Sequence, residues 1–137
     1  MVSLQPLETL AREYVASPVT DEEGEAMFRA AVALFKSWSL TDEQSSTLVD
    51  MPVRTYRRWK AGEMGRLSRD GKARLSNLMG IHKALRMIFR DPERSYEWIS
   101  KGNAVFGGKS ALDIMLNGEL TDIMRIRRFL DSGRGGW

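Results

Sequence analysis

Three times in this chain a threonine or serine stands three residues ahead of a carboxylate or carboxamide, at the head of an apolar pattern spaced by threes and fours: Thr20 with Glu23, Thr41 with Gln44, and Ser110 with Asp113. Such a pair closes the start of an α-helix reciprocally. The hydroxyl accepts from a backbone N–H inside the first turn, and the second side chain accepts from the N–H of the capping residue. After Thr20, the residues Met27, Ala30, Ala31, Leu34, Phe35 and Trp38 recur at the spacing that puts them on one side of a helix. No run of four to eight residues alternates β-branched and polar side chains. The expected fold is therefore all-α.

Punctuation divides the rest. A short helix from Thr41 to about Val49 is broken by Asp50-Met51-Pro52; Pro52 suits the first position of a third helix, Val53 to about Ala61, with Gly62 as its C-terminal cap. Ser68 opens a long fourth helix with Leu75, Leu78, Met79, His82, Leu85, Ile88 and Phe89 as its apolar stripe. Asp91-Pro92 stops it and starts a fifth, carrying Tyr96, Trp98 and Ile99 and ending near Gly102. A Gly107-Gly108 loop precedes the helix capped by Ser110, and Asn117-Gly118 separates that from a last helix with Leu120, Ile123, Met124, Arg127 and Leu130, ended by Gly133. Residues 1–19 read as an N-terminal arm, 20–67 as one helical subdomain and 68–137 as a second.

At 137 residues, 42% of them hydrophobic, the chain can bury a core without a staple. It has no cysteine, which excludes disulfides, thiolate metal sites and a cysteine nucleophile, and suits a reducing cytoplasm. The longest apolar run, Ala30 to Phe35, is six residues, far short of a membrane span. A soluble, cytoplasmic protein is expected.

Charge is distributed unevenly. Residues 1–50 hold three basic and nine acidic side chains, whereas residues 51–90 hold eleven basic and only Glu63 and Asp70 acidic. One central segment thus concentrates positive charge, and nucleic acid is the first candidate partner. Residues 42–61 have the parts of a DNA-reading helix-turn-helix: a short helix, a tight turn at Asp50, and a second helix with unlike faces. Val53, Tyr56, Trp59 and Lys60 follow one face, the first three suited to packing; Arg54, Arg57, Arg58 and Ala61 line the other. Guanidinium groups can grip a guanine edge or a phosphate. The expected DNA contacts are Arg54, Thr55, Arg57, Arg58, Lys60, Arg66 and Arg69, with Lys72 and Arg74 placed to reach flanking backbone.

From Arg54-Thr55-Tyr56-Arg57-Arg58-Trp59, through Gly62, Leu67-Ser68 and Arg74-Leu75, the sequence resembles the Xre/MbcA/ParS-like antitoxins. Trp98, Asn103, the loop Phe106-Gly107-Gly108-Lys109-Ser110, the Leu112-Asp113 helix start and a final helix ending in Gly133 extend the resemblance over roughly residues 26–134. It departs from the family at Ala111, where proline is frequent, and at Asp50, where the turn usually has glycine. The resemblance implies a homodimeric helical antitoxin that neutralises a RES-domain or related NAD-consuming toxin and represses its own operon. A stand-alone helix-turn-helix regulator with a C-terminal dimerisation or effector domain is the competing expectation. Candidate toxin contacts are Lys109, Arg127, Arg128, Arg134 and Trp137; the last two flank a pair of glycines and could insert a cation and a ring into a partner's pocket.

Other constellations carry less. Gly108-Lys109-Ser110 looks like the end of a phosphate loop, but Asn103 stands where that motif needs glycine and no strand precedes it. His82, the only histidine, lies on an apolar stripe without a serine or cysteine partner, as a packed or interface residue would. Asp21, Glu22, Glu23 and Glu25 cluster at a helix start, where the dipole favours negative charge. No catalytic residue, metal site or cofactor is expected.

Overall fold

The computed structural model describes residues 19–133, so residues 1–18 of the expected arm and the tail residues Arg134 and Trp137 lie outside the described residues. Among the described residues there are seven α-helices and no strand: α1 (Asp21–Ser37), α2 (Asp42–Leu48), α3 (Val53–Lys60), α4 (Arg69–Ile88), α5 (Pro92–Trp98), α6 (Ala111–Met115) and α7 (Leu120–Asp131). A single 3-10 turn, Ala104–Phe106, sits between α5 and α6. The protein is all-α, as the periodicity and caps predict.

The three reciprocal caps form. Thr20 Oγ1 accepts from the Glu23 amide at 3.1 Å, Thr41 Oγ1 from Gln44 at 3.1 Å and Ser110 Oγ from Asp113 at 3.0 Å, each with the return bond in place. Each such cap is worth about 1 kcal/mol. Ser68 caps α4 through the Gly71 amide, and Asp91 caps α5 with Pro92 in its first turn. Pro52 differs slightly from expectation. It is the residue before α3, with extended ψ, and the helix begins at Val53.

The long helix α4 is the axis of the molecule. It packs against both α1 and α7, and at 100° per residue its buried leucines and isoleucine fall within about 120° of one another, a single broad stripe. Leu75, Leu78, Ile81 and Leu85 are wholly buried, while Met79, His82, Ile88 and Phe89 are half-buried against the core. Ile81, absent from the apolar stripe read from sequence, lies at the edge of this stripe and is wholly buried. The core is continuous from Phe28, Leu34 and Phe35 of α1 and Trp38 at its end, through α4, to Ile123, Ile126 and Leu130 of α7. Each such aliphatic or aromatic side chain contributes roughly 1.5–3 kcal/mol on burial.

Arg74 overturns one expectation. Instead of facing a DNA backbone it is 4% exposed, with its Nε 2.7 Å from Asp70 Oδ2 and its terminal nitrogens donating to the carbonyls of Leu48 (3.4 Å) and Gly118 (2.7 Å). A buried guanidinium must find acceptors, and here it finds them on α2, on its own helix and in the loop before α7. Gly80, also in α4, is a close-approach position. A Cβ there would lie 2.5 Å from Cζ of Arg127, whose side chain crosses the helix at that point.

In the C-terminal half the helices are short and backbone contacts hold the connections. The Leu112 amide donates to the Ile99 carbonyl at 2.9 Å, and Asn103 closes its loop through Lys109 and Gly108. Trp98, Phe106 and Phe129 form an aromatic cluster; the Phe106 and Phe129 rings are 5.0 Å apart at 66°, an edge-on contact.

Candidate nucleic-acid interface

Helix α2, the turn and α3 have the geometry of a helix-turn-helix. The turn is held by Asp50 N–H to Thr47 O (3.2 Å) and Met51 N–H to Ser46 O (3.1 Å). Asp50 itself takes φ 53°, the left-handed conformation in which aspartate and asparagine are the most tolerated side chains after glycine. Aspartate therefore does here what glycine does in related turns. Gly62, at φ 110°, closes the far end of α3.

The inward face of α3 is aromatic. Tyr56 is 1% exposed and Trp59 8%, and both rings meet Phe28 of α1 edge-on, with centroids 5.8 and 5.6 Å away. Val53 is half-buried. Burial pushes the Tyr56 phenol above its ordinary pKa, and the hydroxyl is paired with Ser45. The helix thus cannot rotate without withdrawing two large rings from the core.

Its basic residues divide into two groups that the sequence pattern does not separate. Arg57 reaches back to α2, with Nε 3.2 Å from Asp42 and an Nη 2.9 Å from Glu43, and Lys60 Nζ is 3.0 Å from the other Asp42 oxygen. The Lys60 hydrogen bond, then that of Arg57, hold the Asp42 carboxyl below the usual range, and the same contact raises Lys60. Being partly exposed, these pairs orient more than they stabilise. Arg54 and Arg58, in contrast, are exposed and have no hydrogen-bond or ion-pair partner among the described residues; Thr55 beside them is half-buried. The arginine face inferred from the sequence is thus two open guanidinium groups and one, Arg57, tied to its neighbour helix.

Beyond α3, Arg66 lies 3.7 Å from Asp21 and Lys72 Nζ 2.9 Å from the same carboxylate, while Arg69 is exposed without a partner among the described residues. The acidic start of α1 is therefore partly neutralised in place, and Lys72 lowers the Asp21 pKa. Asp42, Glu43 and Asp21 are positioning residues missed by the sequence reading. The available signal was two acids in the first turn of α2, facing a basic helix across a tight turn.

The second group of candidates lies in the other half. Lys109 and Arg128 are exposed. Arg127 is partly engaged, 3.5 Å from Asp131 and 3.4 Å from Asn77 Oδ1. The fold does not bring Lys109 and Arg127 into a bonded cluster. Arg94 and Arg125, not singled out from sequence, rest over the rings of Phe89 and Phe106, each 5.6 Å from the centroid. No helix of the described residues is long and apolar enough to cross a membrane.

A helix-turn-helix half is joined through α4 to a second helical half. Residues 17–80 match the antitoxin Xre-like helix-turn-helix domain, and residues 84–136 match the antitoxin Xre/MbcA/ParS C-terminal toxin-binding domain. The chain is also 41% identical over 127 residues to the uncharacterized protein y4oB of Sinorhizobium fredii (strain NBRC 101917 / NGR234), covering 88% of this chain and 95% of that protein. The chain belongs to the Xre/MbcA/ParS antitoxin family, with a helix-turn-helix domain and a toxin-binding domain.

Proposed function

We propose that this antitoxin neutralises a cognate RES-domain, NAD-consuming toxin by direct binding through its C-terminal half and, as a homodimer in the cytoplasm, represses its own operon through α3. The observation that carries the DNA reading is the split on that helix. Tyr56 and Trp59 are anchored inward while Arg54 and Arg58 stand open, on a helix preceded by a tight turn. Among the proposed contacts, Arg54 and Arg58 read bases. Thr55, Arg66 and Arg69 bind phosphate, and Arg57 and Lys60 exchange their carboxylate partners for phosphate as the duplex arrives. Lys109, Arg127 and Arg128, with the tail residues Arg134 and Trp137, contribute to the toxin contact. The domain limits that go with this reading are 20–67 for DNA and 68–137 for the toxin.

Two measurements test it. Co-expression with the adjacent reading frame rescues growth from a toxic neighbour; a harmless neighbour would favour a stand-alone regulator. Alanine at Arg54 and Arg58 weakens binding to the promoter fragment upstream of the operon, with about 1–3 kcal/mol lost for each arginine that reads a base, and leaves rescue intact. Unchanged affinity would mean that α3 presents another side to the duplex.

A further inference from the structure

Between residues 71 and 90, α4 and its end carry five basic side chains and no acidic one. Two of the five are consumed within the fold, Lys72 by Asp21 and Arg74 by Asp70 and two carbonyls. The other three, Lys83, Arg86 and Arg90, are exposed and bond to no described residue. At 100° per residue, positions 83, 86 and 87 fall on one side of α4, and Arg90 follows two residues past the helix end, after the extended Phe89. The position between the cations is Met87, 78% exposed, while Ile81 and Leu85 on the inward side are 0% exposed.

A solvated helix end accounts for part of this pattern, since cations in a last turn complement the helix dipole. It accounts for Arg86, in that last turn. It gives no reason for a methionine 78% exposed at the centre of the group, nor for Lys83, five residues before the helix end. Methionine and arginine are both enriched in protein interfaces. A phosphate backbone would use the cations but gain nothing from the thioether. The stripe is also remote from the recognition helix. Arg74, which touches the end of α2, precedes Lys83 by about 13 Å of helix rise and Met87 by about 20 Å. Arg86, Met87 and Arg90 lie inside the segment that matches a toxin-binding domain.

We propose that Lys83, Arg86, Met87 and Arg90 form a docking surface for the toxin, and that the toxin face that meets it is an apolar patch rimmed by carboxylates. This rests on the antitoxin reading above and adds to it a location and a partner chemistry. Met87 enters the patch and supplies the desolvated centre; the three cations steer the approach and fix its register.

The test uses the full chain and the purified product of the adjacent reading frame, with association and dissociation rates measured at several salt concentrations. Arg86→Glu/Arg90→Glu is expected to slow association about tenfold and flatten its salt dependence, and Met87→Asp to speed dissociation about tenfold. Both variants keep the helical circular dichroism and thermal midpoint of the wild type, because the altered side chains are exposed. If wild type binds and both variants bind equally well with the same salt slope, the location is wrong and the antitoxin reading stands. If wild type neither binds nor neutralises that product, the antitoxin reading falls and the location with it. Loss of duplex DNA affinity with toxin binding intact would assign the stripe to DNA. Dissociation of a wild-type self-assembly by the same variants, with toxin binding intact, would assign it to a second copy. Either result overturns the proposal.

Discussion

In the helix-turn-helix half, Arg57, Lys60 and Lys72 are each within 3.2 Å of a carboxylate oxygen, whereas in the C-terminal half Arg94 and Arg125 lie over phenylalanine rings. The two arrangements respond differently to a partner. A carboxylate pair on a surface is screened by salt and can be exchanged for a phosphate at small net cost. A guanidinium on a ring keeps its charge available while covering apolar surface, which suits contact with another protein. The difference is that one half holds its cations in exchangeable carboxylate pairs and the other lays them over apolar rings, as the proposed polyanion and protein partners would each require, although a single core runs beneath both.

The comparison fails if the halves are energetically separate, and the largest expected effect tests that directly. Tyr56→Ala removes a ring 1% exposed and should cost about 3–5 kcal/mol. With a shared core, urea unfolding stays a single transition, and exchange of the Leu112 amide, bonded to Ile99 O in the other half, accelerates in step. Undiminished protection at Leu112 would show two units.

Arg74→Ala comes next. It strands the carbonyls of Leu48 and Gly118 and should cost about 3 kcal/mol in chemical denaturation. A cost under about 1 kcal/mol would mean that water satisfies those carbonyls and that the guanidinium is no tie between halves.

Gly80→Ala sharpens the picture with a smaller change. Helix propensity gains nearly 1 kcal/mol, offset by displacement of Arg127 from Asn77, so net stability should move by no more than about 1 kcal/mol while the Arg127 side-chain NMR signals shift. A loss of several kcal/mol would show that the helices, not the side chain, had to part.

The smallest effect is a pH dependence. His82 is stacked on Tyr96, and burial, followed by the charge of Arg86, lowers its pKa. The unfolded chain therefore binds a proton at higher pH than the folded one, so stability is fullest above the ordinary value of about 6.5 and declines as pH falls through it. Because the chain has one histidine, His82→Phe should flatten that slope between pH 7.5 and 5.5, read as thermal midpoints at about 0.5-unit steps.

Much of this architecture is legible in the residues. Caps at Thr20, Thr41 and Ser110, the break at Asp50-Met51-Pro52 and the inward Tyr56 and Trp59 are local signals, each confined to a few neighbouring positions. What sequence spacing conceals is the partner across space. Arg74 looks like any basic residue until Leu48 and Gly118, 26 and 44 positions away, offer it their carbonyls. The one local hint is Asp70, a helical turn earlier. Arg57 likewise falls on the polar side of α3 by periodicity, but its guanidinium is long enough to turn toward α2. Helix phase gives the direction of a Cβ, not the destination of a charged group at the end of a flexible stem.

The two matched domains meet between residues 80 and 84, yet both positions lie inside the uninterrupted α4. A chimera joined at that seam would splice a rod about 30 Å long through its middle and set the buried Ile81 and Leu85 of one parent in a core shared with the α1 of another. Exchange of toxin specificity between relatives would therefore have to inherit α4 whole, together with both surfaces that grip it. In this antitoxin the unit that can be shuffled is larger than either domain.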